Sequence, residues 1–261
     1  MCLILFAFSA HPDFPLVVAA NRDESYKRPT LKAGFWQDHP HIFGGRDLHM
    51  GGTWMAMSRA RAGRFAAITN FRDGAPKGVW PRSRGNLAKD YLLGSSDAPA
   101  YLDEVVASAG EYAGFSMLAG DLTHMCYLSN YGEGIGHITP GVHGLSHHLL
   151  DTPWPKVADG RDALHAWMQH AAHERTDALF DMLADRSIAP ENQLPDTGVG
   201  IAREKQLGPK FIAIDDRYGT RASTVIVVDA ANEVTYTERT FGGRGVFLGE
   251  VRERFLISGS N

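Results

Sequence analysis

Residues 2–24 read CLILFAFSAHPDFPLVVAANRDE, two apolar runs at 2–8 and 16–20 separated by SAHPDFP. The prolines and aspartate between the runs are turn residues, so the pair reads as an antiparallel hairpin. If Phe8 or Ser9 faces Leu16, Cys2 falls opposite Arg22 or Asp23, and the NRDE stretch at 21–24 lies beside the first residues of the chain. Adjacent strand residues point to opposite faces. Only one of Arg22 and Asp23 can therefore share the face of Cys2, and a one-residue slip exchanges them.

Cys2 itself has two readings. A free cysteine on an apolar strand is commonly one more small buried residue. A methionine followed by so small a residue is also commonly removed, which would make Cys2 the mature N-terminus and put a thiol and an α-amine on one residue. A thiol with an ordinary pKa of ~8.5 then has a base of pKa ~7.7 to 8.0 within reach, which is the pairing that N-terminal nucleophiles use. If Met1 stays, that amine does not exist.

The chain has 261 residues, 44% hydrophobic and 21% charged, which is the profile of a globular protein and favours a single domain over residues 1–261. No run approaches the ~18 apolar residues of a membrane-spanning helix, and LILFAF lacks the basic flank of a signal peptide. Two distant cysteines, Cys2 and Cys126, are too few for a disulfide framework, so a cytoplasmic location is expected. A net charge of -4 argues against nucleic acid as the main partner, and the basic run RARAGR at 59–64 reads as a solvated hairpin tip. Twelve histidines include no HExxH spacing and there is no CxxC pair, so no metal site is expected.

A second hairpin is expected from GGTWMAMS (51–58) and RFAAITN (64–70). Helical patterns follow over 84–94 and, with Asp97 as cap and a proline in the first turn, over 97–110. FSMLAGD (115–121) and HMCYLSN (124–130) read as a strand pair. Helices are expected near 156–171 and 174–186, then a loop-rich stretch over 188–209. KFIAID (210–215), STVIVVDA (223–230) and EVTYTERTF (233–241) read as strands, with a last strand or short helix at 246–255. The glycine-rich GGRD (44–47) and FGGRG (241–245) read as turns, because neither has the strand and helix context of a phosphate loop. Strand pairs, a block of helices and further strands predict an α+β fold with mainly antiparallel sheets.

MCLI, NRDE, GGRDLHMGGTWMAMS, ITNFRD, SRGNLAKDYL, YAGFSMLAGD, GLSHHLLDTPWPKV and GTRASTVIVVD occur in this order along the chain. Together they resemble the NRDE family, the transport-and-Golgi-organisation proteins, across nearly the whole length. That family is similar to N-terminal-nucleophile hydrolases of the branch that cleaves conjugated bile acids and penicillins. The resemblance implies a four-layer αββα sandwich with a catalytic cysteine opening the first strand. It further implies catalytic roles for Cys2, Arg22, Asp23, Asn70 (in TNF), Asn130 (in LSN) and Arg221 (in GTRAST), the asparagines as oxyanion donors. Trp54, Arg46, His147 and His148 are the expected ligand-binding residues.

This chain departs from the hydrolase pattern in one place and from the NRDE family's own pattern in another. Arg22 and Asp23 are adjacent where those relatives space the pair two apart, and His147 and His148 follow GLS where asparagine is common. The implied function is a hydrolase acting on a non-peptide amide or a thioester with Cys2 as nucleophile. The alternative is a carrier or chaperone of haem or of acyl-CoA or lipid on the same fold. No cofactor is required; haem enters only as a carried ligand, and the partners are small molecules.

Overall fold

The first apolar runs pair as the turn residues require. In the computed structural model, which describes residues 2–74, 78–170 and 176–258, β1 (Cys2–His11) lies antiparallel to β2 (Phe14–Ser25). Phe8 faces Leu16, so Cys2 faces Arg22 and not Asp23. Met1, on which the identity of the mature N-terminus depends, lies outside the described residues.

The chain continues through β3 (Thr30–Phe35), β4 (Ile42–Asp47), β5 (Met55–Ser58), β6 (Phe65–Asn70), α1 (Arg84–Leu93) and α2 (Ala98–Ser108). Next come β7 (Phe115–Gly120), β8 (Met125–Ser129), β9 (Gly136–His137), β10 (Gly141–Leu145), α3 (Pro155–Gln169), α4 (Thr176–Leu183) and α5 (Ile201–Leu207). β11 (Tyr218–Val228), β12 (Glu233–Phe241) and β13 (Phe247–Leu256) follow. The strands form two antiparallel sheets, ordered β10-β1-β2-β11-β12-β13 and β3-β4-β5-β6-β7-β8-β9. The fold is α+β, and no helix among the described residues is long and apolar enough to cross a membrane.

Side chains alternate across each strand, and this divides the apolar residues into three cores. Ile4, Phe6, Val18 and Ile226 of the first sheet meet Phe43, Met55, Phe65 and Leu118 of the second between the sheets. Leu3, Leu5, Val17 and Val225 face α3 and α4 through Val157, Leu164 and Phe180, while Ala66, Met117 and Leu128 face α1 and α2 through Leu87, Tyr91 and Leu102. Each such side chain contributes about 1.5–3 kcal/mol when fully buried. α3 approaches β1 closely because Gly160 has no side chain; a Cβ there would lie 2.5 Å from Leu5. That approach brings the first turn of α3, with Lys156, to the end of β1 and β2.

Several expectations are corrected. GGRD is part of β4 and not a turn: Gly44 faces Ala56, where a Cβ would come within 2.6 Å of the alanine methyl, so glycine permits strand contact here. KFIAID is not a strand. Its backbone is satisfied irregularly, with Phe211 N–H donating to the Asp185 carbonyl at 2.8 Å and Ile212 N–H to Thr220 Oγ1 at 2.8 Å. β11 instead begins at Tyr218, five residues before the expected start at 223. The stretch read as loop contains α5, and β3, β9 and β10 were not anticipated. The last expected segment takes the strand alternative, as β13 over Phe247–Leu256. Residues 171 and 174–175 of the two expected helices lie outside the described residues.

Candidate active site

Cys2 occupies the end of a central strand with β10 on one side and β2 on the other. Its sulfur receives the backbone N–H of Asp23, and the guanidinium of Arg22 acts on it from the facing position. Burial pushes the thiol above its ordinary pKa and the Asp23 carboxylate adds to the rise, while Arg22 and the Asp23 N–H pull the other way. A cavity of about 120 Å³ opens over the residue, bordered by Arg22, Asp23, Trp54, Asn70 and Arg84. Its floor is the contact of the 51–53 turn with the start of α1, where Thr53 N–H donates to the Gly85 carbonyl at 3.0 Å. A Cβ on Gly52 would lie 2.4 Å from Gly85, so glycine is required for that approach.

The backbone of Cys2 is held by the segment after β10. Ser146 Oγ donates to the Cys2 carbonyl at 3.1 Å, and His147 Nε2 accepts the Cys2 backbone N–H. The other ring nitrogen, Nδ1, lies 3.1 Å from the Asn70 carbonyl oxygen. His147 is fully buried, and burial holds its imidazole well below the usual histidine pKa.

Asp23 takes the opposite face of β2. Its Oδ1 accepts the Thr220 hydroxyl at 2.6 Å, and burial pushes its carboxyl up to about 6. Lys156 of α3 lies within electrostatic reach; burial brings it down to about 8, and its Nζ donates to the Leu207 carbonyl at 2.9 Å. Thr220 reaches Asp23 because β11 bulges against β2: Thr220 faces Asp23 and Ala222 faces Arg22, leaving Arg221 as the extra residue.

A larger groove of about 740 Å³ continues from the Cys2 cavity and shares Glu24, Arg28, Asn70 and Arg84 with it. Trp80 and Tyr131 line its outer part, with Tyr131 stacked on Phe71 at 4.2 Å. Arg72, also on its wall, pairs with the buried Glu204 at 2.8 Å.

Of the residues expected from the sequence, Cys2, Arg22, Asp23, Asn70, Trp54 and His147 gather here. Four others do not border the Cys2 cavity. Arg221 is the bulge residue and donates to the Ser25 and Arg28 carbonyls at 3.1 and 2.7 Å, tying down the β2–β3 connection. Asn130 accepts the Phe115 N–H at 2.8 Å and joins the end of β8 to the start of β7. Arg46 pairs with Asp38 at 2.5 Å and lies over the Trp36 ring. His148 meets Thr152 Oγ1 at 2.9 Å and packs between Phe71 and Trp154. Sequence reasoning missed Arg28, Arg84, Ser146 and Lys156, although Arg84, Ser146 and Lys156 sit inside the motifs SRGNLAKDYL and GLSHHLLDTPWPKV.

The fold and this cluster define an α+β protein of two antiparallel sheets with a buried cysteine at the head of a central strand. The chain belongs to the Transport and Golgi organisation 2 family, whose model matches residues 1–243. It is 35% identical over 272 residues to the Transport and Golgi organization protein 2 homolog of Homo sapiens, covering 97% of each chain. The Bos taurus homolog is 36% identical over 263 residues (93% of this chain, 94% of the relative). Transport and Golgi organization protein 2 of Drosophila melanogaster is 27% identical over 271 residues, covering 93% of each.

Proposed function

We propose that this protein is an N-terminal-cysteine hydrolase of a non-peptide amide or thioester, built on the αββα arrangement of N-terminal-nucleophile enzymes. The observation that carries this reading is the set of groups converging on one residue. Arg22 and the Asp23 N–H act on the sulfur of Cys2, His147 holds its nitrogen, and Asn70 borders the space above.

Once Met1 is removed, the α-amine of Cys2 takes the thiol proton, and the thiolate forms a bond to the carbonyl carbon of the substrate. The carbonyl π-electrons move to oxygen, where the Asn70 amide donates to the oxyanion. Collapse expels the amine or thiol with the proton carried by the α-ammonium, leaving an acyl thioester on Cys2. Water then adds, releases the acid and restores the thiol. Arg84 in the adjoining groove suits a substrate that carries an acidic group, whereas Arg28 there is already paired with Asp47 at 2.6 Å. Two buried free cysteines suit a reducing, cytoplasmic setting.

Intact mass of the purified protein, followed by a panel of acyl amides and thioesters, tests the reading. Loss of Met1 with turnover in the wild type, and none when an alanine is inserted between Met1 and Cys2, is the expected result. Asn70→Ala should lower kcat by roughly 10²–10³. Equal turnover with and without the inserted alanine overturns it.

One observation favours the second reading, carriage of haem or a long-chain acyl thioester. The groove of about 740 Å³ extends well beyond the sulfur, so a ligand could occupy it without reacting. Saturable binding that survives Cys2→Ala, with no turnover, would select carriage.

A further inference from the structure

We infer that His147 is a positioning residue for the Cys2 α-amine, accepting one N–H on Nε2 so that the nitrogen lone pair stays turned to the thiol. The inference rests on the nucleophile reading above and adds to it the group that prepares the base. A carbonyl oxygen can only accept a hydrogen bond. The contact of Nδ1 with the Asn70 carbonyl at 3.1 Å therefore puts the imidazole proton on Nδ1. Nε2 of the neutral ring is then an acceptor, and the nitrogen of Cys2 points its N–H at it. With the opposite tautomer Nε2–H would donate into the amine lone pair and block proton transfer from sulfur.

The consequences follow from counting protons. The S–H proton moves to the α-amine, the sulfur becomes thiolate and the nitrogen becomes ammonium, with nothing gained from outside. His147 accepts from the nitrogen both before and after that transfer, and the bond strengthens when the donor becomes cationic. It therefore favours the thiolate–ammonium pair over the neutral pair. The imidazole meets the nitrogen of Cys2 and is not itself the base for the thiol.

The backbone around His147 is arranged for this contact. His147 has φ +54°, in the left-handed region that a side chain with a Cβ enters at a cost of about 1 kcal/mol or more. Its own carbonyl accepts the Arg72 N–H at 2.9 Å, and its neighbour Ser146 donates to the Cys2 carbonyl. The residue is thus fixed from both sides. Burial keeps the ring neutral, as an acceptor must be.

The charged groups that face Cys2 and His147 are Arg22 and Asp23 from β2, Lys156 from α3, Arg84 from α1, and Arg72. Asp23, pushed up to about 6, has titrated before the thiol window opens. Lys156, brought down to about 8, titrates within the window, so the comparison is made among variants that all keep it.

Alkylation of Cys2 by iodoacetamide as a function of pH tests the inference without requiring a substrate, with intact mass confirming loss of Met1 and peptide mass assigning the label. His147→Leu should raise the midpoint of the alkylation profile by about one pH unit, a roughly tenfold loss of rate at fixed pH below it. His147→Gln, which restores an acceptor, should bring the midpoint most of the way back. An unchanged midpoint in His147→Leu, with Met1 absent, overturns the positioning role and leaves the nucleophile reading standing. Retention of Met1 in the wild type overturns both. If His147→Leu does not fold, the nitrogen-15 shifts of His147 in the wild type decide. A protonated Nδ1 with a bare Nε2 at neutral pH supports the inference, and a protonated Nε2 overturns it.

Discussion

Cys2 and Cys126 each lie buried on a strand beside a histidine, and the contrast between them shows what a reactive setting requires. Cys126 faces His137 across β8 and β9, with its sulfur 3.6 Å from Nδ1. A cavity of about 720 Å³ adjoins it, larger than the space over Cys2. Yet burial pushes the Cys126 thiol up, and Asp97 and Asp121 push it further. The nearby Arg64 gives no relief, since its guanidinium donates to the Gly94 and Ser96 carbonyls and lies over the Tyr91 ring. At Cys2 burial and the Asp23 carboxylate act in the same direction, but a facing arginine and a backbone N–H oppose them. Cavity size, a neighbouring imidazole and nearby carboxylates do not distinguish the two sites; a facing cation and a backbone N–H aimed at the sulfur do.

The contrast extends to how firmly each site is built, and the largest expected effect tests that. Arg72→Met would leave Glu204 buried beside the Cys2 groove without its cation at 2.8 Å, costing about 3–5 kcal/mol in urea unfolding. Arg61→Met at the rim of the Cys126 cavity removes an exposed guanidinium and should change stability by less than about 0.5 kcal/mol. Similar losses at both positions would break the contrast.

Thiol labelling compares the two sulfurs directly. At pH 8 iodoacetamide should modify Cys2 faster than Cys126, by roughly tenfold for each unit that separates their pKa values. Peptide mass after a timed quench reads both rates in one sample. Faster labelling of Cys126 would remove the electrostatic distinction.

Acid titration examines the Cys2 side alone. The Asp23 carboxyl sits at about 6 in the folded protein against 3.8 as its ordinary value, so between these pH values the native state binds more protons than the unfolded state. Stability from this group therefore falls as pH rises from about 4 to 6 and is level above. Asp23→Asn should flatten that fall, as measured by urea midpoints across the interval. An identical slope in the variant would assign the pH dependence elsewhere.

The hairpin was legible because a strand alternates with period two and turn residues bound it, and the register was readable to within one residue. What chose Arg22 over Asp23 was the geometry of the 9–13 tip, where Ser9 adopts φ +46° and the pairing shifts between Phe8 and His11. The placement of Arg221 was not legible: a single bulge opposite β2 turns the residue away, and nothing in GTRAST marks a bulge. His147 was visible as an unusual residue, but its contact with Cys2 spans 145 positions. Only closure of β10 onto β1 reveals it. β4 was hidden for the opposite reason, since its glycines serve close strand packing while reading locally as a turn.

The smallest expected effect separates the two asparagines that end β6 and follow β8. Asn130 lies outside the Cys2 cavity, and its one short bond is the acceptance of the Phe115 N–H at 2.8 Å; its amide nitrogen reaches the Ala109, Tyr112 and Ala113 carbonyls only at 3.4–3.5 Å. Asn130→Ala therefore removes one good hydrogen bond at a half-buried position, which water can partly replace. The cost should be about 1 kcal/mol in urea unfolding. The pH profile of Cys2 alkylation should not move, because none of the groups acting on the sulfur or nitrogen of Cys2 bonds to Asn130. A displaced profile would mean that the β7–β8 end is coupled to the cysteine, and the boundary drawn between site and support would have to include it.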